Sequence, residues 1–291
     1  MRFNMYEDVK SFYRDTHELL ERHEAQNLII LGNIVTGNAG PDKTGWRDPA
    51  NWFMAVVQDA GIRLIALMTP PYNVTLYATD NRTDEETLAC LVHGIEDSGV
   101  SIPGVTSEKT LAERFAETCA GIKGIRYSVD KSLCLYELTK VNPEITVNGS
   151  LRLTRESDMA FLPYWLEGFN SDCLGESPLV KQDAAYYQHE IDAKKVYILE
   201  DRGVPVSIAK ITRELQSLCG IGFVYTPPYF RRKGYATSCV AALSRLCLER
   251  GFTKCVLYTD LANPTSNSIY QKIGYVPVND SRDIKFMQNL I

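Results

Sequence analysis

Several features are scarce in these 291 residues, and each scarcity removes a class of protein. No stretch of eighteen or more apolar residues occurs, so no membrane-spanning helix and no membrane partner are expected. The opening residues, Met1-Arg2-Phe3-Asn4-Met5-Tyr6-Glu7-Asp8, lack the apolar core of a secretion signal, and a reducing, cytoplasmic compartment is the expectation. None of the eight cysteines, Cys90, Cys119, Cys134, Cys173, Cys219, Cys239, Cys247 and Cys255, forms a Cys-x-x-Cys pair. Buried free thiols are therefore expected rather than a metal centre or a disulfide framework. The histidines, His17, His23, His93 and His189, are scattered without ligand spacing, and no metal site is read. An excess of basic charge is also missing. Against 31 Lys and Arg stand 36 Asp and Glu, and a net charge of −5 argues against nucleic-acid binding.

What is present is a globular composition, 45% hydrophobic and 23% charged, on a chain long enough for two ordinary domains. Its most informative stretch is Val224-Tyr225-Thr226-Pro227-Pro228-Tyr229-Phe230-Arg231-Arg232-Lys233-Gly234-Tyr235-Ala236-Thr237, where a strand-like run ends in two prolines and a basic loop opens a helix. Gly234 has no Cβ, so the backbone can turn sharply and bring N–H groups to an anion. The helix is supported by Ala236, Val240, Leu243 and Cys247 at spacings of four, three and four, with Gly251 placed to close it. Its first N–H groups lack intrahelical partners and lie at the positive end of the dipole, so the loop reads as a pyrophosphate cradle. The plainer reading is a proline turn leading into a surface helix with solvated cations.

A second strand-to-helix segment follows, Leu257 to Asp260 and then Leu261-Ala262-Asn263-Pro264-Thr265-Ser266-Asn267-Ser268-Ile269-Tyr270-Gln271-Lys272-Ile273-Gly274-Tyr275. Asn263 suits an N-cap, Pro264 the first helical position and Gly274 a left-handed close. Asn263, Asn267 and Tyr270 are separated by four and three, so they share one face; that stripe is either functional or simply solvated.

Together the two segments resemble the GNAT acyltransferase superfamily. Its signature of Arg or Gln, two residues, Gly, one residue, then Gly or Ala is matched by Arg231, Gly234 and Ala236. The resemblance covers roughly residues 150 to 287 and is nearest to a bacterial subgroup with a Tyr-Thr-Pro-Pro turn and an Asn-Pro-x-Ser-Asn-x-x-Tyr helix. Arg232 departs from the glycine many members carry, and Tyr229-Phe230 stand where a glutamate often precedes the arginine. The resemblance implies a sheet whose fourth and fifth strands splay, with the pantetheine arm of acetyl-CoA, the acyl donor, between them. Backbone groups near Val224 and Thr226 would pair with that arm. Amides of Arg232, Lys233, Gly234, Tyr235, Ala236 and Thr237 would hold the pyrophosphate, with the charge of Arg231, Arg232 or Lys233 added. Asn263 and Asn267 would touch the cofactor, and Tyr270 would face its sulfur as the catalytic acid. A phenol with a pKa near ~10 stays protonated at neutral pH and can serve a departing thiolate. No general base is evident on the fourth strand, read as about Leu215 to Thr226. Glu214 and Asp260 read as strand-end charges before they read as bases, and a water relay or an amine arriving deprotonated stays open.

In the N-terminal half, Tyr6 to about Glu24 reads as an amphipathic helix and Leu28-Ile29-Ile30-Leu31 as a buried strand. Residues 51–57 and 62–68 read as a hairpin, 84–97 and 109–118 as helices, and 132–139 as a strand. Thr69-Pro70-Pro71-Tyr72 recurs as Thr226-Pro227-Pro228-Tyr229, and Tyr77-Ala78-Thr79 as Tyr235-Ala236-Thr237, which suggests a degenerate repeat without the cradle. A turn-rich joint at 141–149 divides the chain into residues 1–145, a degenerate GNAT-like domain, and 146–291, the catalytic one. Past it, 151–154 reads as a strand, 157–169 as a helix, and Lys195 to Glu200 with Pro205 to Ile211 as a hairpin. In GNAT-like folds the early helix and following loop line the acceptor pocket, so Trp165, Phe169 and the loop from Asp172 to Asp183 are candidate contacts, with core packing the alternative for the aromatics.

The reading is thus an α/β (α+β) protein of two GNAT-like lobes, each a mixed, mostly antiparallel twisted sheet flanked by helices. Its expected activity is acyl-CoA-dependent N-acyl transfer, moving acetyl to the primary amine of a small molecule or peptide by direct attack, as a monomer or homodimer. The alternative is a non-catalytic acyl-CoA-sensing or protein-binding module. Tandem GNAT-like transferases that take aminoacyl-tRNA are a third resemblance, opposed by the acidic balance and the intact loop.

Overall fold

The computed structural model describes residues 1–40, 48–80, 83–175 and 184–287. In chain order the regular elements are β1 (Arg2–Met5), α1 (Val9–Glu21), α2 (Leu28–Ala39), β2 (Phe53–Gln58), β3 (Ile62–Met68), β4 (Val74–Ala78), α3 (Glu85–Asp97), β5 (Gly104–Glu108), α4 (Lys109–Lys123) and β6 (Arg126–Leu138). They continue with β7 (Ser150–Leu153), α5 (Leu162–Phe169), α6 (Ala184–Asp192), β8 (Val196–Asp201), β9 (Val204–Glu214), β10 (Leu218–Tyr225), α7 (Tyr235–Glu249), β11 (Lys254–Asp260), α8 (Pro264–Ile273) and β12 (Val276–Met287). The second ten repeat the first ten in kind and order, one strand, two helices, three strands, then helix, strand, helix, strand. Among the described residues no helix is long and apolar enough to cross a membrane.

The chain divides into two compact units, one of Met1–Leu135, Asp260–Ala262 and Asn279–Ile291, the other of Tyr136–Thr259 and Asn263–Val278. Strands β6 and β12 each begin in one unit and end in the other. In the first unit β2 and β3 form the expected hairpin, registered from Phe53↔Met68 to Gln58↔Ile62. Strand β4 runs parallel to β5 at Val74↔Val105 and Thr75↔Thr106. The outer partner of β5 is the last strand of the chain, β12, antiparallel from Ser281↔Glu108 to Lys285↔Gly104. Ile284 is fully buried there with Val74, Leu88, Val105 and Phe115. Asp283 accepts hydrogen bonds from the Asn73 side-chain amide and, at 2.9 Å, from Thr106 Oγ1.

Helix α1 buries Val9, Phe12, Thr16 and Leu20, and Asp8 caps it by accepting from the Ser11 N–H at 2.9 Å. The expected strand at 28–31 is instead the first turn of α2. Four successive apolar residues fit either period, and Gly32, Asn33 and Ile34 are buried as well, so this helix has no polar face to betray it. The expected helix over 157–169 is broken at Phe161 into a 3₁₀ turn, Glu156–Ala160, and α5. Pro163 requires the break, since its ring and missing N–H are tolerated only in a first turn. Trp165 and Phe169 are half-buried against a core of Leu162, Leu166, Tyr187, Ile198 and Ile208.

The paired tetrapeptides do not occupy equivalent places. Thr69-Pro70-Pro71-Tyr72 joins β3 to β4, whereas Thr226-Pro227-Pro228-Tyr229 follows β10 and leads to α7; Tyr77-Ala78 ends a strand and Tyr235-Ala236 opens a helix. The duplication lies in the element order, and by that order the counterpart of the 226–234 loop is the span from Thr79 to Asp84. There Asp84 caps α3, accepting from Thr87 N–H at 2.8 Å and its hydroxyl at 2.7 Å, with Glu85 and Glu86 in the first turn. That helix head already holds an anion of its own.

Candidate active site

In the second unit β10 lies parallel to β11 for three rungs, Leu218↔Lys254, Cys219↔Cys255 and Gly220↔Val256, and no rung follows. Beyond them β10 bulges. Its register with β9 passes from Gly222↔Lys210 to Tyr225↔Ile208, so Phe223 and Val224 together oppose Ala209, and Phe223 has φ 51°. A bulge turns peptide groups out of the ladder and bends the strand, and it follows a first register shift at Gly220/Ile221, where the rungs with β11 end.

Helix α7 follows β10 in the chain, after the loop 226–234. Its N-cap, Gly234, is left-handed at φ 79° and supplies no capping side chain. Ser238 is the first residue to find a helical acceptor, the Gly234 carbonyl at 3.0 Å, so the amides of Tyr235, Ala236 and Thr237 point outward at the positive end of the helix. A Cβ built on Gly234 would meet nothing within 4 Å, so glycine is needed there for its torsion and not for room. Arg232 is also left-handed, at φ 62°.

The loop's cations are unequal. Arg231 donates through Nε to the Thr226 carbonyl at 2.9 Å, through Nη2 to the Asp172 carboxylate, and lies over the Tyr225 ring at 5.7 Å. Its charge is thus matched by Asp172, from the turn that follows α5, and it ties the Thr226 turn to that residue. Arg232 and Lys233 are exposed and enter no ion pair among the described residues. Tyr235 is anchored by its hydroxyl to Asp201 at 2.6 Å, and Thr226 shares a hydroxyl hydrogen bond with Ser207 at 2.9 Å. Val224 is half-buried within the bulge.

On α8 the stripe of Asn263, Asn267 and Tyr270 forms as the spacing requires, but its two amides build the helix head. Asn263 Oδ1 accepts from the Ser266 N–H at 3.0 Å, and Asn267 Nδ2 donates to the Asn263 carbonyl at 2.7 Å. Asn263→Ala is therefore expected to lower the unit's stability by about 1 kcal/mol, the ordinary worth of an N-cap. Thermal unfolding without ligand checks this; an unchanged midpoint would assign Asn263 to ligand contact alone.

Tyr270 is 7% exposed, with its ring near Tyr136 at 6.4 Å and edge-on to Tyr275 at 6.0 Å. Its hydroxyl makes no hydrogen bond among the described residues. Burial, with the neighbouring Cys173 adding to it, pushes the phenol above its ordinary pKa, so it is a proton donor throughout the neutral range. Cys173 itself is exposed and Cys90 half-buried, unlike the other six thiols, which are buried as expected.

The two strand-end carboxylates are structural. Glu214 is paired with Arg250 at 2.7 Å and Lys195 at 3.3 Å, and Asp260 accepts from the Ala262 N–H at 2.8 Å. Of the loop read as 172–183, residues 176–183 lie outside the described residues. Periodicity gave no sign of the Asp172 contact to Arg231, of left-handed Phe223, or of a buried pair between Lys210 and Glu190. Each depends on residues far apart in sequence.

Residues 162–275 match the family described as Acetyltransferase (GNAT) family. No curated protein matches the chain. Among solved structures, a GNAT-family acetyltransferase from Colwellia psychrerythraea is 12% identical at TM-score 0.56, covering 98% of this chain and 99% of its own. A GCN5-related N-acetyltransferase from Sphaerobacter thermophilus is 15% identical at TM-score 0.59, covering 100% and 97%. A tandem GNAT protein from the clavulanic acid biosynthesis pathway is 12% identical at TM-score 0.57, covering 98% of each. Similarity at these identities concerns the fold, and the last agrees with the two lobes expected from the sequence.

Proposed function

Because residues 162–275 match the acetyltransferase (GNAT) family, we propose that the second unit is an acyl-CoA-dependent N-acyltransferase, moving acetyl from acetyl-CoA to a primary amine by direct attack. The observation that carries the proposal is the uncapped head of α7, on the loop that follows the bulged end of β10. Uncapped N–H groups at a helix head suit a phosphate, and the residues present fit the group.

The amides from Arg232 to Thr237 would hold the diphosphate, with Arg232 and Lys233 offsetting its charge. Backbone groups at Val224 and Thr226 would pair with the pantetheine arm. Acetyl-CoA would supply an activated acyl carbonyl with a thiolate leaving group. An N–H of the bulged strand would polarise that carbonyl, and Tyr270 would deliver its proton to the departing sulfur. The attacking nitrogen belongs to a small-molecule or peptide amine and reacts unprotonated. With Glu214 and Asp260 committed to structural contacts, its proton leaves through water.

Gly234→Val is expected to weaken acetyl-CoA binding about tenfold or more. A β-branched residue is held out of the left-handed region at about 1–2 kcal/mol, and the cradle amides turn with the loop. Calorimetric titration reads this, and undiminished affinity would remove the loop from the site.

The decisive experiment measures thiol release from acetyl-CoA across a panel of primary amines. Acceptor-dependent release supports the transferase. The commitment of both strand-end carboxylates favours one second reading, an acyl-CoA sensor, for which binding without acceptor-dependent release is the expected result.

A further inference from the structure

Lys210 on β9 and Glu190 on α6 form an ion pair whose side chains are only 16% and 3% exposed. Removing two charges from water is unfavourable enough that an apolar pair of the same volume often serves stability as well, so retention of this pair calls for a role beyond stability. Its position supplies one. Lys210 lies opposite Gly222, the last regular rung before the bulge of β10. Its ammonium also lies 5.3 Å from the centre of the Phe223 ring, which packs against Phe169 at 4.8 Å between centroids.

Phe223 is the residue held at φ 51°, a region that a bulky side chain enters only when its surroundings force it. Here a cation is attracted to the ring and an aromatic ring packs against it, beside the core that holds Leu162, Leu166 and Tyr187. Glu190, in turn, fixes the ammonium, which would otherwise swing toward solvent on its four-carbon stem. The backbone so held is the turned-out stretch of β10.

We infer that Lys210 and Glu190 are positioning residues for acyl transfer: by clamping Phe223 they hold the bulge that aims a β10 N–H at the thioester carbonyl. The inference rests on the acyltransferase reading for its catalytic consequence, but not for the clamp.

The test uses the full-length chain with the pair replaced together, Lys210→Met with Glu190→Leu, so that no buried charge is left alone. The double variant is expected to fold, to lose no more acetyl-CoA affinity than the Val224 contact supplies, and to lose about tenfold or more in kcat with little change in KM for the amine. Adding Phe223→Gly should restore most of the loss, because glycine adopts the left-handed conformation without a clamp. A crystal structure of the double variant is expected to show Phe223 outside that region. The proposal is overturned if Phe223 stays left-handed there, or if kcat is unchanged, or if Phe223→Gly restores nothing. Should the wild-type chain release no thiol with any amine, the acyltransferase reading fails by itself, and the crystal structure still decides whether the clamp exists.

Discussion

Tyr270→Phe is expected to lower kcat about a hundredfold while leaving acetyl-CoA affinity within about a factor of two. General acids of this kind contribute roughly 10²–10⁴ in rate, and the substitution removes one oxygen and nothing else. The ring, lodged between Tyr136 and Tyr275, keeps its contacts, so the fold has no reason to respond. No hydrogen bond among the described residues is lost with the hydroxyl, which separates a catalytic loss from a structural one. The direction of its pKa shift adds a pH signature. A phenol pushed above its ordinary value remains protonated to about pH 10, so Tyr270 cannot cause a fall in activity between pH 7 and 10. The same shift means that the folded chain holds this proton more tightly than the unfolded one. Its contribution to stability is complete below about pH 10 and is lost as pH rises past it. Steady-state kinetics of the variant from pH 7 to about 10 read the first and unfolding above about pH 10 reads the second, and unchanged turnover would remove Tyr270 from the chemistry.

The second large effect is on folding. Ile284→Asp is expected to unfold the first unit at room temperature, although residue 284 lies near the far end of the sequence. Ile284 pairs with Val105 in the β5–β12 ladder and is wholly enclosed by apolar side chains. A carboxyl group in place of that side chain would sit in the apolar cluster, and burying it costs several kcal/mol, against a total stability of only about 5–15 kcal/mol. Ile284→Val, by comparison, removes one methyl and costs about 1 kcal/mol. Hydrogen exchange separates the outcomes: amides of Phe53–Met68 and of Val105 should lose protection, while those of Val196–Tyr225 keep theirs. Retained protection across β2 and β3 would show that β12 is dispensable to that core.

The parts of this molecule that were legible in its sequence are those governed by near neighbours. Alternation on either side of Asp59-Ala60-Gly61 marks the β2–β3 hairpin, and proline, glycine and small residues at fixed offsets mark the heads of α7 and α8. Pro163 marks a helix start as well, but it stands in an apolar run that also fits a longer helix. Other features rest on partners far along the chain. The buried turn at Leu28–Leu31 is helical because of what surrounds it. The contact of Arg231 with Asp172 joins residues 59 apart, whereas the capping of α8 by Asn263 was legible from its place before Pro264. The bulge at Phe223 depends on β9 and α6, and residues 276–287 carry no local sign of which sheet they complete. The likeness of the two Thr-Pro-Pro-Tyr turns misled because turn chemistry is reused wherever a strand ends, whereas the true duplication is a matter of element order.

The late arrival of β12 bears on how this protein is made. A ribosome adding about 5–20 residues per second needs on the order of ten to thirty seconds to pass from β5 to β12, and through that interval one edge of β5 has no partner. Nascent chains stalled before residue 279 should accordingly leave residues 1–135 open to protease, and chains released complete should protect them.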